Sequence, residues 1–162
     1  MYVAIKRIAF TVTFQGVFLL FLASRSGILS SKLEGMSNLI TLLCGLVAGT
    51  IVFHSAIVAP TVFRTLGEHD ASVFLRTIFP KFFLFLALVN AINFFLALID
   101  GQFGVMVMAA ISAVLMGIAY GIIPMTNRSR DEGNQQRFAK LHRISVLLTV
   151  AVLSINVVGA FI

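Results

Sequence analysis

The stretch "KFFLFLALVNAINFFLALID", residues 81–100, decides the fold. It is 20 residues long, is bounded by Lys81 and Asp100, and is apolar in between except for Asn90 and Asn93. An α-helix rises about 1.5 Å per residue, so this stretch covers about 30 Å, the thickness of the hydrocarbon core of a bilayer. It therefore predicts a membrane-spanning helix.

The composition extends this interpretation to the whole chain. Hydrophobic residues make up 59% of the 162 residues and charged residues 11%, which lies outside the usage of soluble domains. The basic residues outnumber the acidic ones by 12 to 6, but they lie between the apolar runs. We therefore predict the lipid bilayer as partner, with anionic lipid headgroups at the basic loops, and no nucleic acid.

Three more runs are long enough to span, at about 37–63, 104–124 and 143–162. Closed helices satisfy the backbone in lipid, so we predict an all-α integral membrane protein with a four-helix transmembrane core in residues 36–162. A shorter run, 8–23, precedes a polar linker that ends near residue 35. It is either a signal peptide or a short uncleaved fifth transmembrane helix. We favour the helix. A signal-peptide cleavage site needs a small-x-small pattern, and here Phe21 or Leu22 would occupy the first of the two small positions.

The basic residues orient the bundle. The loop after the first run contains Arg64, Arg76 and Lys81, the loop before the fourth contains five basic residues, and the turn after residue 100 contains none. The positive-inside rule predicts that both basic loops are cytoplasmic and that the C-terminus lies outside, most simply in a bacterial inner membrane. In the first of these loops we predict a surface helix near 70–79, ended by Pro80.

Five polar residues of the apolar runs are predicted at a common depth. Counted from the nearest basic residue, or from Pro124 in the third run, they lie roughly 13–20 Å into the membrane. Polar side chains at this depth are costly enough to be treated as functional hypotheses. This midplane layer draws on all four helices and comprises His54, Asn90, Asn93, Ser112 and Asn156.

Two interpretations of the layer stay open. The favoured one is interhelical hydrogen bonding that fixes helix packing. The other is a site that binds or moves a proton, an ion or a small polar molecule, with His54 as the titrating group. Cys44 lies about 15 Å from His54 along one helix, so we find no catalytic set and predict that the protein is not an enzyme. We also predict no cofactor and no metal, because zinc spacings, phosphate-binding loops and dinucleotide-binding turns are missing and methionines near Cys44 are explained by packing.

Small residues predict close helix contacts. Gly45 and Gly49 form a G-x-x-x-G pair opposite His54, and Gly117 and Gly121 continue a line of alanines. If the polar face of the first helix turns inward, its glycine face must meet either the N-terminal helix or a second protomer. The second case predicts a homo-oligomer.

Short motifs in a fixed order resemble the transmembrane protein 205-like family. They are "FRTL", with Phe63 and Arg64; "FP", which is Phe79 and Pro80; Pro124; and "RFAKLHRIS", with His142 and Ser145. The resemblance covers roughly residues 40 to 160 and implies a four-helix integral membrane protein with a domain of unknown function. The family usually has asparagine where this chain has Thr149, and the N-terminal run is additional. The resemblance supports the topology and implies no activity.

Overall fold

A computed structural model describes residues 32–162, with side chains from residue 35, and this part of the chain contains helices and no strand. The first span consists of α1 (Lys32–Phe53), a π-helical segment (His54–Val58) and α2 (Ala59–Thr65). The second, third and fourth spans are α3 (Glu68–Asp100), α4 (Phe103–Asp131) and α5 (Gln135–Gly159). All four are long and apolar enough to cross a membrane. The predicted all-α membrane bundle is confirmed, whereas the predicted helix over 8–23 lies outside the described residues.

The four spans pack as a square. The first span contacts α3 and α5, α4 also contacts α3 and α5, and among the described residues no Cα atoms of diagonally opposite spans lie within 8 Å of each other. The central layer contains one fully buried apolar side chain from each span: Val47, Leu86, Met116 and Val152. Since lipid is as apolar as this core, close packing rather than hydrophobic burial holds the helices together there.

Short turns make neighbouring spans antiparallel. Gly101 ends α3 in the left-handed conformation (φ 75°), and the Gln102 N–H closes the turn on the Ala97 carbonyl at 2.9 Å. Between α4 and α5, Gly133 again has a positive φ, and the Asn134 side chain caps α5 by accepting from the Arg137 N–H at 3.0 Å.

The prediction that Pro80 ends a separate helix near 70–79 is wrong, because α3 runs without interruption from Glu68 to Asp100. Proline removes one backbone hydrogen bond, but tertiary packing holds the helix on both sides of it. The turn after α2 is so short that the first turns of α3 run back along α2, where Val62 packs with Ala71 and Leu75. Residues 70–79 therefore belong to α3 and do not form a separate helix.

The helix α4 likewise continues through Pro124 to Asp131, beyond the apolar run predicted at about 104–124. At the C-terminal end of α4 the Arg76 guanidinium binds both oxygens of the Asp131 carboxylate, and its Nη1 donates to Oδ2 at 3.1 Å. The Arg130 Nη2 lies 3.7 Å from the Glu68 Oε1. These pairs join α3 to α4. Both basic loops therefore lie at one end of the bundle, which we call the basic end.

A π-helical segment interrupts the first span immediately before Pro60. The missing N–H of Pro60 and its ring would disturb the regular pattern at the carbonyl four residues earlier. In the observed wider turn, the Ala59 N–H donates to the His54 carbonyl, five residues back. The distortion lets the helix continue through Pro60, and it places His54 at the first position of the segment.

Candidate functional site

Three contacts fix how the first span and α3 lie against each other. Ile40 packs in one buried cluster with Ala97, the Asn93 Nδ2 lies 3.1 Å from the Cys44 Sγ, and the ring centroids of His54 and Phe82 are 4.4 Å apart. The first span and α3 are therefore antiparallel, because later residues of the first span contact earlier residues of α3. Because ten residues separate them, Cys44 and His54 lie about 15 Å apart along the bundle.

This register divides the predicted midplane layer into two levels. His54 lies at the level of Phe82, beside Lys81 at the start of the 20-residue apolar stretch, whereas Asn93 lies about 16 Å further along α3. The prediction counted depth from Arg64 on one helix and from Lys81 on the next, as if both marked one plane. Lys81 is in fact about 20 Å from the first residue of α3. His54 therefore does not share a level with the asparagines.

The other level contains a compact polar group, which we call the cysteine–asparagine cluster. It consists of one side chain from each span: Cys44, Asn93, Ser112 and Asn156. All four are buried. The Asn156 Nδ2 donates to the Val152 carbonyl at 2.9 Å and to the Ser112 Oγ at 3.4 Å, and the Asn93 Nδ2 donates to the Cys44 Sγ. These bonds join the first span to α3 and α4 to α5, and the four side chains line one common cavity.

One strong acceptor in the cluster has no partner. The Asn93 Oδ1 makes no hydrogen bond, although only 1% of the residue surface is exposed. Rotating the amide by half a turn would pair this oxygen with the Cys44 thiol hydrogen but would leave the Nδ2 hydrogens unpaired. Either orientation leaves one unsatisfied polar group, which costs about 1–3 kcal/mol in a buried place. The cluster is therefore incomplete in its hydrogen bonding.

A small cavity lies inside the cluster. Its volume is about 10 Å³, close to the smallest that holds one water molecule. Besides the four cluster residues, its lining comprises Val105, Met108, Ala109, Ile155 and Gly159. A Cβ added at Gly159 would lie 3.3 Å from the Cys44 Sγ and 3.9 Å from the Met108 Sδ. The missing side chain at Gly159 thus leaves this space open. Because Gly159 is the last residue of α5, the cavity lies toward the end of the bundle opposite the basic end.

The two remaining members of the predicted layer lie outside this cavity. Asn90 is buried one turn from Asn93, and its Nδ2 donates to the Leu86 carbonyl at 2.8 Å while its Oδ1 has no partner. His54 is enclosed by aromatic rings, stacked on Phe82 and edge-on to Phe79 at 5.3 Å, and its Nε2 makes no hydrogen bond. Each therefore has an unpaired buried polar atom, as Asn93 does, but neither residue lines the cavity.

The glycines predicted to mediate packing take two kinds of position. Gly45 and Gly49 on α1 are partly buried. Gly117 and Gly121 on α4 are exposed, and a Cβ at either would meet nothing within 4 Å. The α4 glycines therefore make no close contact between the helices that the structure describes.

The residues that carried the family resemblance are spread over the basic end and its neighbourhood. Phe63 and Arg64 are exposed at the end of α2. His142 is exposed and stacks on Phe138 with ring centroids 6.0 Å apart, and the Ser145 Oγ donates to the Leu141 carbonyl at 3.2 Å. These positions form no common site, and the interpretation of the chain as a non-enzyme stays a prediction.

From the sequence alone, Cys44 is a candidate only for a nucleophile or a soft metal ligand, and Gly159 does not stand out. A usable signal was present, because Asn93 lies seven residues before Asp100 and Cys44 lies eight residues after Met36. Depth counted from the ends opposite the basic loops would have placed Cys44 and Asn93 together. Glycine at the last position of a helix gives no such indication.

Comparison with curated proteins gives no match, and comparison with solved structures gives none either. Residues 42–135 match a family described as "Domain of unknown function (DUF4149)". The matched region begins within α1, includes all of α3 and α4, and reaches the first residue of α5, so it contains Cys44, Asn93 and Ser112 but not Asn156. Since the match covers more than half of the chain, this multi-pass helical membrane protein belongs to the DUF4149 family.

Proposed function

We propose that this protein takes up one small neutral molecule, about the size of water, in the cysteine–asparagine cluster. The observation that carries the proposal is the unpaired Asn93 Oδ1 beside a cavity that fits one such molecule. A ligand that donates a hydrogen bond would satisfy this oxygen. The other lining groups, including the Ser112 and Asn156 side chains, can accept or donate further bonds.

The lining of the cavity favours a neutral ligand over an ion. None of its residues carries a carboxylate, an amine, a guanidinium or an imidazole; the lining is amide, hydroxyl, thiol, thioether and aliphatic. An ion without a charged partner is costly to hold inside a membrane bundle. Water, or a molecule of similar size with an N–H or O–H donor, fits this chemistry best.

The single cysteine makes this proposal testable by infrared spectroscopy. Cys44 is the only cysteine in the chain, so the protein has a single S–H stretching band. In protein transferred into D2O, entry of water into the cluster exchanges S–H for S–D while the fold remains intact. We expect this exchange within minutes. An S–H band that persists until the protein unfolds would refute the proposal.

A pair of glycine variants controls for general effects of substitution. Gly159→Ala places a methyl group 3.3 Å from the Cys44 Sγ and fills the cavity, so the exchange should slow strongly. Gly117→Ala makes the same chemical change in α4 where nothing lies within 4 Å, and exchange should keep its wild-type rate. Equal rates in the two variants would show that the cavity is not the route.

A structural role is the second candidate function. The Asn156 Nδ2, which donates to the Ser112 Oγ and to the Val152 carbonyl of its own helix, makes the kind of bond that an interhelical packing contact requires. If the whole cluster served packing alone, Asn93 would contribute to stability as Asn156 does. Substitution of each by leucine separates the two functions.

We further propose that the basic end faces the cytoplasm and that the C-terminus lies outside, in a bacterial inner membrane. The support is the charge distribution: the ion pairs hold both basic loops at one end, while the turn at Gly101 at the opposite end carries no basic residue. In this orientation the cluster lies in the half of the bundle toward the outer surface.

A further inference from the structure

We propose that the outward face of α5 at the basic end binds the headgroup of an anionic phospholipid. A groove of about 590 Å³ runs along this face. Its lining contains a polar part, Gln136, Lys140 and Arg143, followed by an apolar part, Ile144 and Leu147. This site is distinct from the cysteine–asparagine cluster and does not depend on the function proposed for it.

The groove residues form one helical stripe that points away from the core. Gln136, Lys140, Arg143 and Leu147 recur at intervals of three or four residues, so they share one face of α5. The buried residues of the same helix, among them Leu141 and Val152, lie on the opposite face. The stripe is therefore presented to the surroundings of the bundle.

The charges in this stripe have no carboxylate partner among the residues that the structure describes. Three arginines near the basic end have carboxylate partners: Arg76, Arg128 and Arg130. Lys140 and Arg143 have no such partner in the part of the chain that the structure describes, and the groove lining includes no acidic residue. A phosphate group matches this arrangement, because guanidinium binds phosphate through two parallel hydrogen bonds and ammonium provides a second positive charge one turn away.

The depth of the stripe indicates a phospholipid rather than free phosphate. Asn156 and Asn93 lie at one level of the bundle, because both line the same cavity. Arg143 lies about 20 Å before Asn156 along α5, and Lys81 lies about 18 Å before Asn93 along α3. Arg143 and Lys81 therefore mark the same boundary of the apolar core. One turn deeper, Leu147 is 68% exposed. A single molecule with an anionic head and an acyl chain would contact the cations and this apolar surface together.

Native mass spectrometry of the full-length protein, titrated with phosphatidylglycerol in detergent, measures this binding. Arg143→Gln should weaken the first binding step about fivefold, the equivalent of about 1 kcal/mol for one headgroup contact. Lys140→Gln combined with Arg143→Gln should weaken it about 25-fold. Phosphatidylcholine, whose headgroup has no net charge, should bind no better to wild type than to the double variant.

Arg137→Gln is the matched control. It removes the same charge from an exposed arginine of the same helix, six residues away and outside the groove lining. We expect less than about a twofold effect, since only nonspecific attraction is lost. Equal effects of Arg137→Gln and Arg143→Gln would overturn the proposal, and so would competition by millimolar inorganic phosphate, because the site would then recognise phosphate without the lipid.

Discussion

Substitution of Asn93 by leucine should make the empty protein more stable. Leucine has the same number of side-chain heavy atoms and the same branching, so it fills the space of the amide without its polar atoms. The variant loses the contact between Nδ2 and the Cys44 Sγ, worth about 0.6 kcal/mol for an average interhelical bond in membranes. It also removes the unpaired Oδ1, which costs about 1–3 kcal/mol. The net gain is about 0.5–2 kcal/mol, or a melting temperature higher by about 2–6 °C for a chain of this size.

Asn156→Leu is the matched variant with the opposite expectation. It removes two satisfied hydrogen bonds and leaves the Ser112 Oγ without its partner, so the melting temperature should fall by about 3–6 °C. Thermal unfolding of both purified variants in the same detergent, followed by circular dichroism, gives the comparison. A higher melting temperature of Asn93→Leu would show that Asn93 costs stability in the empty protein, as expected of a binding residue. If Asn93→Leu lowered the melting temperature as much as Asn156→Leu, the cluster would be a packing device and not a binding site.

Further predictions concern His54 and the basic end. His54→Phe keeps the ring contact with Phe82 and removes an unpaired buried nitrogen. We therefore expect an unchanged or higher melting temperature and an unchanged rate of S–H exchange. A slower exchange would show that His54 contributes to the binding site. Arg76→Asp should lower the melting temperature and Asp131→Arg in the same chain should restore it, whereas additive losses would show that the pair does not matter. The Arg76 guanidinium lowers the pKa of the Asp131 carboxyl, which projects beyond the apolar core, so the pair's contribution is complete above the ordinary pKa of 3.8 and is lost as pH falls through the lower folded-state pKa. Thermal unfolding from pH 7 downward should show this contribution in wild type and not in Arg76→Gln. A reporter fused after Ile162 that is active only in the cytoplasm should stay silent in bacterial cells, and a strong signal would reverse the orientation.

The sequence predicted the four spans because membrane helices have a strong and simple requirement. The stretch from Lys81 to Asp100 has the length and the apolar composition of a bilayer crossing, and no tertiary information is needed to recognise it. The backward extension of the fourth span was also predictable, since the apolar period at Phe138 and Leu141 continues that of the buried helix, and α5 does begin at Gln135. Local periodicity therefore determined what forms a helix.

What the sequence could not determine was how the helices lie against one another. Pro80 and Pro124 are strong stop signals in isolation, but neighbouring helices hold α3 and α4 together through both of them. Because α3 continues through Pro80, Lys81 lies well inside this helix and not at its start. His54 and Asn93 therefore lie at different levels of the bundle. The cavity depends on contacts such as Gly159 beside Cys44, which are 115 residues apart in sequence and follow only from the packed bundle.

The most direct test of the central claim is the denaturant dependence of Cys44 S–H exchange in D2O. Local entry of a small molecule into the cluster exposes little surface, so the exchange rate should be almost independent of denaturant. Exchange through unfolding of the bundle would instead accelerate steeply with denaturant and follow the global unfolding free energy. We predict a flat dependence in wild type and a steep one in Gly159→Ala. A steep dependence in both would mean that no molecule enters the folded cluster.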